Sequence, residues 1–524
     1  MIVHDLWAMK NKLTAYALPV LAGVLLSWAF PRFHVHWLAW VALVPLVLSA
    51  GRAAPLQAGC RFFLAGWVFH SILLQWLCAN IFWAGGWAVI GQQLLCVLLA
   101  LHWAAVGAGW RWLTRRWPGL PAPLVLAACW YAMEFLMARW FSGFGWGALG
   151  YSQGPLPSLA RWAAPGGVEF VSAVLVLFNA ALAGVLAGPK RPAHAALAVA
   201  VLLVALFGLN LAPAGKAAEA GEPFNALLVQ PAFSQEIKWD PDFFEFMGKT
   251  LDQNTRAAAK KGPVSLMVWP EAAVPGDLAM DSTLEPLRRL TAETGAPLFT
   301  GITRDDPATG KSYNSTALIT PDGAVAAVYD KVHLAPFGEY VPFGTILPFL
   351  ESIAFGGCDP GDTQKVIPVG NRTLGPLICF EVLFSPMARE LKRMGADCLV
   401  VVTNLAWFGA SNAQLQELEI ARFRAIETGL PLVHCANTGI SGVFDCYGGF
   451  LSVNMRIGAD GRVMQYDQSR IIPAMLQGQR MAGVIAVSPP AASLPTLWLL
   501  GVWLIPLAVF VTASNIRFKT NKDT

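Results

Sequence analysis

Charged residues are almost absent from two long parts of this sequence, and this pattern constrains the fold more than any other feature. From Leu13 to Leu211 the charges are confined to short connections, and from Leu494 to Ala513 there are none. Only 13% of all residues are charged, against about 25% in a typical soluble domain. We therefore predict a membrane domain over 1–215, a water-soluble domain over 216–489, and a last membrane helix with a tail over 490–524.

The apolar stretches are long enough for membrane-spanning helices, which need roughly 20 mostly apolar residues. They predict a polytopic α-helical membrane protein of about eight transmembrane helices, seven of them before the soluble domain. The eight candidates are Leu13–Phe30, Trp37–Ala50, Gln57–Asn80, Trp87–Ala108, Pro123–Ala138, Phe170–Ala187, Ala193–Leu211 and Leu494–Ala513.

The basic residues predict the orientation, because Lys and Arg in short loops stay on the cytoplasmic side. With eight spans, most of them fall on one side: Lys10, Lys12, Arg52, Arg111, Arg115, Arg116, Lys190, Arg191, Arg517, Lys519 and Lys522. Both termini are then cytoplasmic and the soluble domain faces outward, which is the periplasm for a bacterial inner membrane. The net charge of +4 is small and scattered, so we expect no nucleic-acid partner.

The soluble domain alternates short apolar runs with helical stretches, a pattern typical of a layered α/β domain. The predicted strands are 225–230, 265–271, 297–302, 313–320, 323–331, 372–381, 397–404, 431–437 and 441–448. The predicted helices are 242–260, 282–295, 386–395 and 412–428.

Four polar residues close apolar runs of this domain: Glu271, Lys331, Cys379 and Asn404. Ligands of α/β sheets bind beyond the carboxyl ends of the strands, so these side chains are expected to share one crevice. Taken singly, Cys379 is better explained as a packed thiol and the charged residues as solvated strand ends.

Together these residues are of the types that form a nucleophilic catalytic site: a thiol, a base and a cation. A cysteine attacks as thiolate, which a neighbouring base or cation favours. Glu271 is the candidate proton acceptor, and Lys331 is the candidate cation that stabilises the oxyanion formed when a carbonyl is attacked. The trio predicts acyl transfer through a thioester on Cys379.

Three stretches, "VWPEAAVP", "KVHLAPFGEYVPF" and "LICFEVLF", resemble the nitrilase (carbon-nitrogen hydrolase) superfamily, whose Glu, Lys and Cys residues occur in this order. With its membrane spans and the stretch "ANTGISGVFD", the whole chain is similar to the bacterial apolipoprotein N-acyltransferase family. The resemblance implies an αββα sandwich inserted in a membrane protein. It also implies that Glu271 is the general base, Lys331 the oxyanion stabiliser and Cys379 the nucleophile.

The resemblance assigns further residues. Glu339 and Glu381 match supporting glutamates, and Trp239 matches a tryptophan near the acyl substrate. Asn404 and Trp407, in "NLAWF", are further substrate-binding candidates. The sequence departs from the family at Phe380, where tyrosine is common, so this chain lacks that hydroxyl.

The implied reaction moves a fatty acyl chain from a membrane phospholipid to the α-amino group of an apolipoprotein's N-terminal diacylglyceryl-cysteine. No cofactor or metal is implied, and the spacing of the histidines and cysteines does not suit a zinc site. We expect a monomer. The apolar stretch 343–357 is predicted to be a lid that touches the bilayer, with a buried loop as the alternative.

Two other functions remain open. A membrane-tethered nitrilase-type amidase would use the same three residues with water as the acceptor. A non-enzymatic transporter would need ionisable groups in its spans, and the candidates Glu134, His70 and His102 are single residues, better explained as hydrogen-bonded groups between helices.

Overall fold

The computed structural model describes residues 2–80, 85–140, 143–188, 192–207, 224–341, 357–453, 455–457, 463–465 and 480–487. These residues form two compact units, divided near residue 215. The predicted eighth span and all of the predicted lid except Gly357 lie outside the described residues.

The first unit is built from apolar helices. Its α-helices are Ile2–Trp28, Val44–Ala50, Pro55–Leu73, Trp87–Arg116, Ala122–Met137, Pro157–Ala160, Ala163–Gly166, Val168–Leu186 and Pro192–Phe207. Three 3₁₀ segments, His36–Trp40, Gln75–Asn80 and Leu149–Gln153, lie between them.

Two of the described helices, Trp87–Arg116 and Val168–Leu186, are long and apolar enough to cross a membrane by length and composition. Ala15–Trp28, His36–Ala50 and Ala122–Met137 are shorter apolar segments. The predicted second span is divided into a 3₁₀ segment and a seven-residue helix with a proline in its first turn, where proline is tolerated. The count of eight spans stays a prediction.

The predicted intramembrane polar groups are hydrogen-bonded within the first unit. Glu134 is buried and accepts from the Trp130 indole N–H at 2.8 Å and the Leu149 backbone N–H at 3.0 Å. A ring nitrogen of His70 lies 2.8 Å from the Gly66 carbonyl oxygen. These contacts agree with a structural part for both residues.

The second unit contains two β-sheets. Its strands are β1 Phe224–Gln230, β2 Leu266–Val268, β3 Val274–Asp277, β4 Leu298–Asp306, β5 Lys311–Ile319, β6 Val325–Asp330, β7 Ile367–Val369, β8 Arg372–Ile378, β9 Cys398–Thr403, β10 Leu432–Ala436, β11 Gly442–Phe444, β12 Phe450–Ser452, β13 Met455–Ile457, β14 Val463–Gln465 and β15 Met481–Val487. One sheet has the order β14-β13-β15-β1-β2-β4-β5-β6, with β3 paired to β4, and the other has the order β12-β11-β10-β9-β8-β7.

Both sheets are mixed. The neighbours β1–β2, β2–β4, β3–β4, β8–β9 and β9–β10 are parallel, and the other pairs are antiparallel. The central strands β8, β9 and β10 are almost wholly buried apolar runs, as expected of strands covered on both faces.

Helices cover the outer faces of the two stacked sheets. Phe244–Ala259 and Asp281–Thr294 pack on the first sheet, and Ser385–Arg393 and Ala413–Thr428 pack on the second. Between the sheets, β1 contacts β10, and the Cys435 thiol donates to the Val268 carbonyl oxygen at 3.3 Å. This helix–sheet–sheet–helix layering confirms the predicted α/β sandwich.

The four predicted helices of this unit are observed within two residues of their predicted ends. The strand predicted over 372–381 ends earlier, at Ile378, and a 3₁₀ turn over Cys379–Leu383 follows. The six strands β3, β7 and β12 to β15 were not predicted. Five of them are only three or four residues long, too short for an alternating pattern to stand out in the sequence.

Candidate active site

Cys379 is the first residue after β8, at a sharp change of chain direction. Its φ of +49° lies in the left-handed region, which costs a non-glycine residue about 1 kcal/mol. Part of the residue remains accessible to solvent, although the strand that precedes it is buried. The turn therefore presents the thiol at the carboxyl end of a central strand.

Glu381 holds this turn in place. Its buried carboxylate accepts from the Ile378 backbone N–H at 2.8 Å, and from the Val332 and His333 backbone N–H groups at 2.8 and 3.0 Å. The hydroxyl of Tyr329 donates a fourth bond at 2.8 Å. Burial raises the pKa of Glu381 while these donors oppose the shift. The carboxylate thus joins the end of β8 to the end of β6, where Lys331 lies.

Lys331 is buried between two carboxylates. Its Nζ lies 2.9 Å and 2.8 Å from the two oxygens of Glu339 and 3.6 Å from Oε1 of Glu271. Burial alone would lower the pKa of Lys331, but the charges of Glu339 and Glu271 outweigh it and raise that pKa. The amine is therefore a permanent cation in the neutral pH range.

Asn314, on β5, connects the two carboxylates. Its side-chain N–H₂ donates to Oε1 of Glu271 and to Oε1 of Glu339, at 2.8 Å each. Its backbone carbonyl accepts from the Lys331 N–H at 2.9 Å. Sequence reasoning missed this residue, and the only signal was a polar side chain inside the strand "YNSTALIT".

The thiol of Cys379 lies within the electrostatic reach of this cluster. Desolvation and the negative charges of Glu271 and Glu417 raise its pKa well above the ordinary value, while the charge of Lys331 opposes the shift. The resting group is therefore a thiol, which needs a proton acceptor before it can attack.

Glu271 follows β2 and is placed by its backbone as well as its side chain. A Cβ at Gly301 would lie 2.5 Å from the Pro270 carbonyl oxygen, so only glycine permits this close approach of β4. The buried ammonium of Lys238 donates to the Glu271 carbonyl oxygen at 2.9 Å. Lys238 was also missed, because "EIKWD" reads as a solvated turn.

The remaining predicted site residues are dispersed around the cluster. Trp239 is half exposed and directly follows Lys238. Asn404 is buried, accepts from the Ala406 N–H at 3.3 Å and caps the 3₁₀ segment Leu405–Phe408, which contains Trp407. Phe380 is half-buried, and its ring lies edge-on to Phe384 with centroids 5.3 Å apart.

The described residues contain no group of histidine, cysteine or acidic side chains arranged to hold a metal ion. All nine cysteines lie within the described ranges, and none of them forms a disulfide. The thiol of Cys379 is therefore chemically free for reaction.

Comparisons with known proteins cover both units. The family model for carbon-nitrogen hydrolases matches residues 228–483, and the model for the N-terminal domain of apolipoprotein N-acyltransferase matches residues 22–181. The apolipoprotein N-acyltransferase of Geobacter metallireducens is 35% identical over 453 residues, which cover 83% of this chain and 85% of that protein. That of Azotobacter vinelandii is 32% identical over 465 residues, covering 84% and 87%.

Among solved structures, Saccharomyces cerevisiae Nit3, a member of branch 10 of the nitrilase superfamily, is 20% identical. It matches with a TM-score of 0.37 over 49% of this chain and 93% of its own. The matches to both family models and to relatives over most of their length lead to one conclusion. This chain belongs to the apolipoprotein N-acyltransferase family.

Proposed function

We propose that this chain transfers a fatty acyl chain from a membrane phospholipid to the α-amino group of the N-terminal diacylglyceryl-cysteine of apolipoproteins. The observation that carries the proposal is the placement of Glu271 and Lys331 within electrostatic reach of Cys379 in a chain of this family. A base, a buried cation and a thiol are what acyl transfer through a thioester requires.

In the first half-reaction, Glu271 takes the proton of the Cys379 thiol as the sulfur attacks the ester carbonyl of the phospholipid. The ammonium of Lys331 stabilises the oxyanion. The carbon–oxygen bond to the glycerol then breaks, and the leaving oxygen takes the proton back from Glu271. The products are a lysophospholipid and an acyl thioester on Cys379.

In the second half-reaction, the neutral α-amine of the apolipoprotein attacks the thioester carbonyl, and Glu271 takes a proton from the nitrogen. The carbon–sulfur bond breaks, and the sulfur of Cys379 takes that proton. An amide forms and the thiol is restored. Glu271 therefore acts as base and acid in turn, which a carboxylate exchanging one proton can do.

We assign indirect parts to the surrounding residues. Glu339 orients Lys331, and Glu381 fixes the turn at Cys379, as their hydrogen bonds support. Phe380 packs next to the nucleophile. Trp239 is half exposed and Trp407 is half-buried, so both rings are suited to contact an acyl chain. Asn404 caps the loop that carries Trp407.

This proposal explains why the catalytic unit is joined to a membrane unit. Both substrates are held in the bilayer by acyl chains, and each buried CH₂ contributes about 0.8 kcal/mol to that anchoring. An enzyme remote from the bilayer would have to extract them against that free energy. We propose a monomer in a bacterial inner membrane, with the catalytic unit in the periplasm and both termini cytoplasmic.

The test is to incubate the purified full-length protein with phospholipid vesicles and to measure its intact mass. We expect an adduct of one acyl chain that hydroxylamine removes and that Cys379→Ala abolishes. A diacylglyceryl peptide with a free α-amine should discharge the adduct and gain the same mass.

The other outcomes identify the two alternatives. Rapid loss of the adduct in water, without gain of mass by the peptide, would favour an amidase-type hydrolase. No adduct on the unmodified chain would refute covalent transfer and leave the transporter.

A further inference from the structure

Among the residues that the structure describes, the site contains a second buried lysine, and its charge lacks a carboxylate partner. Lys238 is 3% exposed, and its Nζ donates to the backbone carbonyl oxygen of Glu271 at 2.9 Å. Lys331 has two carboxylate partners, whereas in the described ranges Lys238 has none at ion-pair distance. A buried cation without an ion pair is costly, so a role in the site would account for its retention.

The segment that carries Lys238 is anchored to the ends of β9 and β10. The Ala232 N–H donates to the Asn437 carbonyl oxygen at 2.9 Å, and Phe233 exchanges two hydrogen bonds with the Asn437 amide at 3.1 and 2.9 Å. The amide of Asn404 donates to Oε1 of Gln235 at 3.2 Å. The helix Gln235–Lys238 is therefore fixed, and so is the position of its cation.

Lys238 brings a second positive charge to a cluster that is rich in carboxylates. Without it, Lys331 alone would face Glu271 and Glu339. Burial lowers the pKa of Lys238 to about 8, while the charges of Glu271 and Cys379 oppose the shift.

The groups that act on Cys379 come from several elements. Glu271 after β2 and Glu417 on the helix Ala413–Thr428 disfavour its thiolate, and Lys331 after β6 favours it. Lys238, fixed 2.9 Å from the Glu271 carbonyl oxygen, is a further cation within electrostatic reach of the sulfur. Its charge therefore adds to that of Lys331 in favouring a thiolate or an oxyanion at this site.

We propose that Lys238 is a positioning residue of the transfer site, whose ammonium holds the Glu271 loop by its carbonyl and adds a second positive charge beside Cys379. This inference rests on the proposed function, because it takes Cys379 as the nucleophile. Lys238 contacts the base through the backbone and does not itself exchange the proton.

The test measures the thiolate of Cys379 directly. Full-length protein in detergent is labelled with iodoacetamide across a pH series, and the Cys379 peptide is quantified by mass spectrometry. In Lys238→Met we expect Cys379 to label more slowly, by up to about tenfold, between pH 6 and 7, where the Lys238 ammonium is charged, and we expect the deficit to disappear above pH 9, where that amine is neutral. Lys238→Arg should label at least as fast as the unmodified chain at every pH. Lys249→Met, at an exposed lysine of the helix Phe244–Ala259, is the matched control.

A second variant separates the charge from the hydrogen bond. Lys238→Gln can still donate to the Glu271 carbonyl but is neutral, so it should show the same pH-dependent deficit as Lys238→Met, and it serves if the methionine variant does not fold. No deficit in the neutral variants, or a deficit of the same size at every pH, would mean a purely structural part and overturn the inference. Failure of the proposed function is distinct, since the unmodified chain would then form no acyl adduct whatever Lys238 does to labelling.

Discussion

The ammonium of the buried Lys331 lies 2.8 Å from Oε2 of Glu339, whose side chain is 15% exposed. The same carboxylate accepts from the Ala335 backbone N–H at 2.8 Å. Burial alone would raise the pKa of Glu339, but Lys331 and the hydrogen bonds outweigh it and lower that pKa. The pair therefore stays ionised and fixes the direction of the lysine ammonium.

Glu339→Gln should slow formation of the Cys379 thioester about 100-fold, because a misdirected Lys331 no longer stabilises the oxyanion. The variant should also lose about 3 kcal/mol of stability, since one partner of a buried ion pair is removed. Intact mass over time and thermal unfolding are the two measurements. Glu390→Gln, in an exposed pair with Arg393, should change neither. Unchanged thioester formation in Glu339→Gln would contradict an orienting part for Glu339.

Asn314 provides a prediction based on charge. In Asn314→Asp a third carboxylate would face the oxygens of Glu271 and Glu339, where the amide now donates at 2.8 Å. Two neighbouring negative charges raise the pKa of the new carboxyl group, which can donate only when protonated. We expect thioester formation to be slower in Asn314→Asp than in Asn314→Ala at pH 8, and the deficit to shrink as the pH falls.

The measurement is the pH dependence of the thioester rate for both variants. Asn371→Asp, in the exposed turn between β7 and β8, is the control for an added charge. If the slower thioester formation in Asn314→Asp does not change with pH, the added charge is not its cause, and the amide contributes through its shape.

The proposed catalytic trio could be picked out from the sequence because each residue ends an apolar run. Glu271, Lys331 and Cys379 follow β2, β6 and β8, and the structure brings their charges and thiol together. The conformation of Cys379 was not accessible, since an apolar run ending in a cysteine does not indicate the positive φ that ends β8.

Asn314 and Lys238 are residues of the site that local sequence patterns did not predict. The position of Asn314 beside the two carboxylates depends on the register of β5 with β4, in which it faces Thr303. The burial of Lys238 depends on hydrogen bonds to Asn437, about two hundred positions away along the chain. Neither relationship can be inferred from the residues that neighbour Asn314 or Lys238 in the sequence.

The raised pKa of Cys379 predicts an unusual response to Glu271→Gln. A raised pKa means little thiolate near neutrality, so labelling of Cys379 by iodoacetamide in the unmodified chain should keep rising past pH 9.0. Removing the charge of Glu271 lowers that pKa, and each unit is worth about tenfold in thiolate. Glu271→Gln should therefore label faster at pH 8 yet form no acyl thioester, because the base is gone.

Peptide mass spectrometry across pH, together with intact mass after exposure to phospholipid, tests both halves of this prediction. Cys379→Ala gives the background from the other eight cysteines. Slower labelling in Glu271→Gln would mean that Glu271 acts on the thiol mainly by accepting its proton, and not by its charge.

Phe380 directly follows Cys379, at a position where the sequence resemblance leads us to expect tyrosine. Its ring contacts Phe384, with centroids 5.3 Å apart, and His333, at 6.0 Å. Phe380→Ala removes both contacts and the apolar burial of the ring, and should cost at least about 2 kcal/mol of stability. Phe380→Tyr keeps the ring, so its rate of thioester formation should stay within about threefold of the unmodified chain, or about 0.6 kcal/mol in the barrier.

Thermal unfolding and intact mass measure the two effects, with Phe450→Tyr, another half-buried ring, as the control. A tenfold or greater loss in Phe380→Tyr alone would show that this site has adapted to the absence of the hydroxyl.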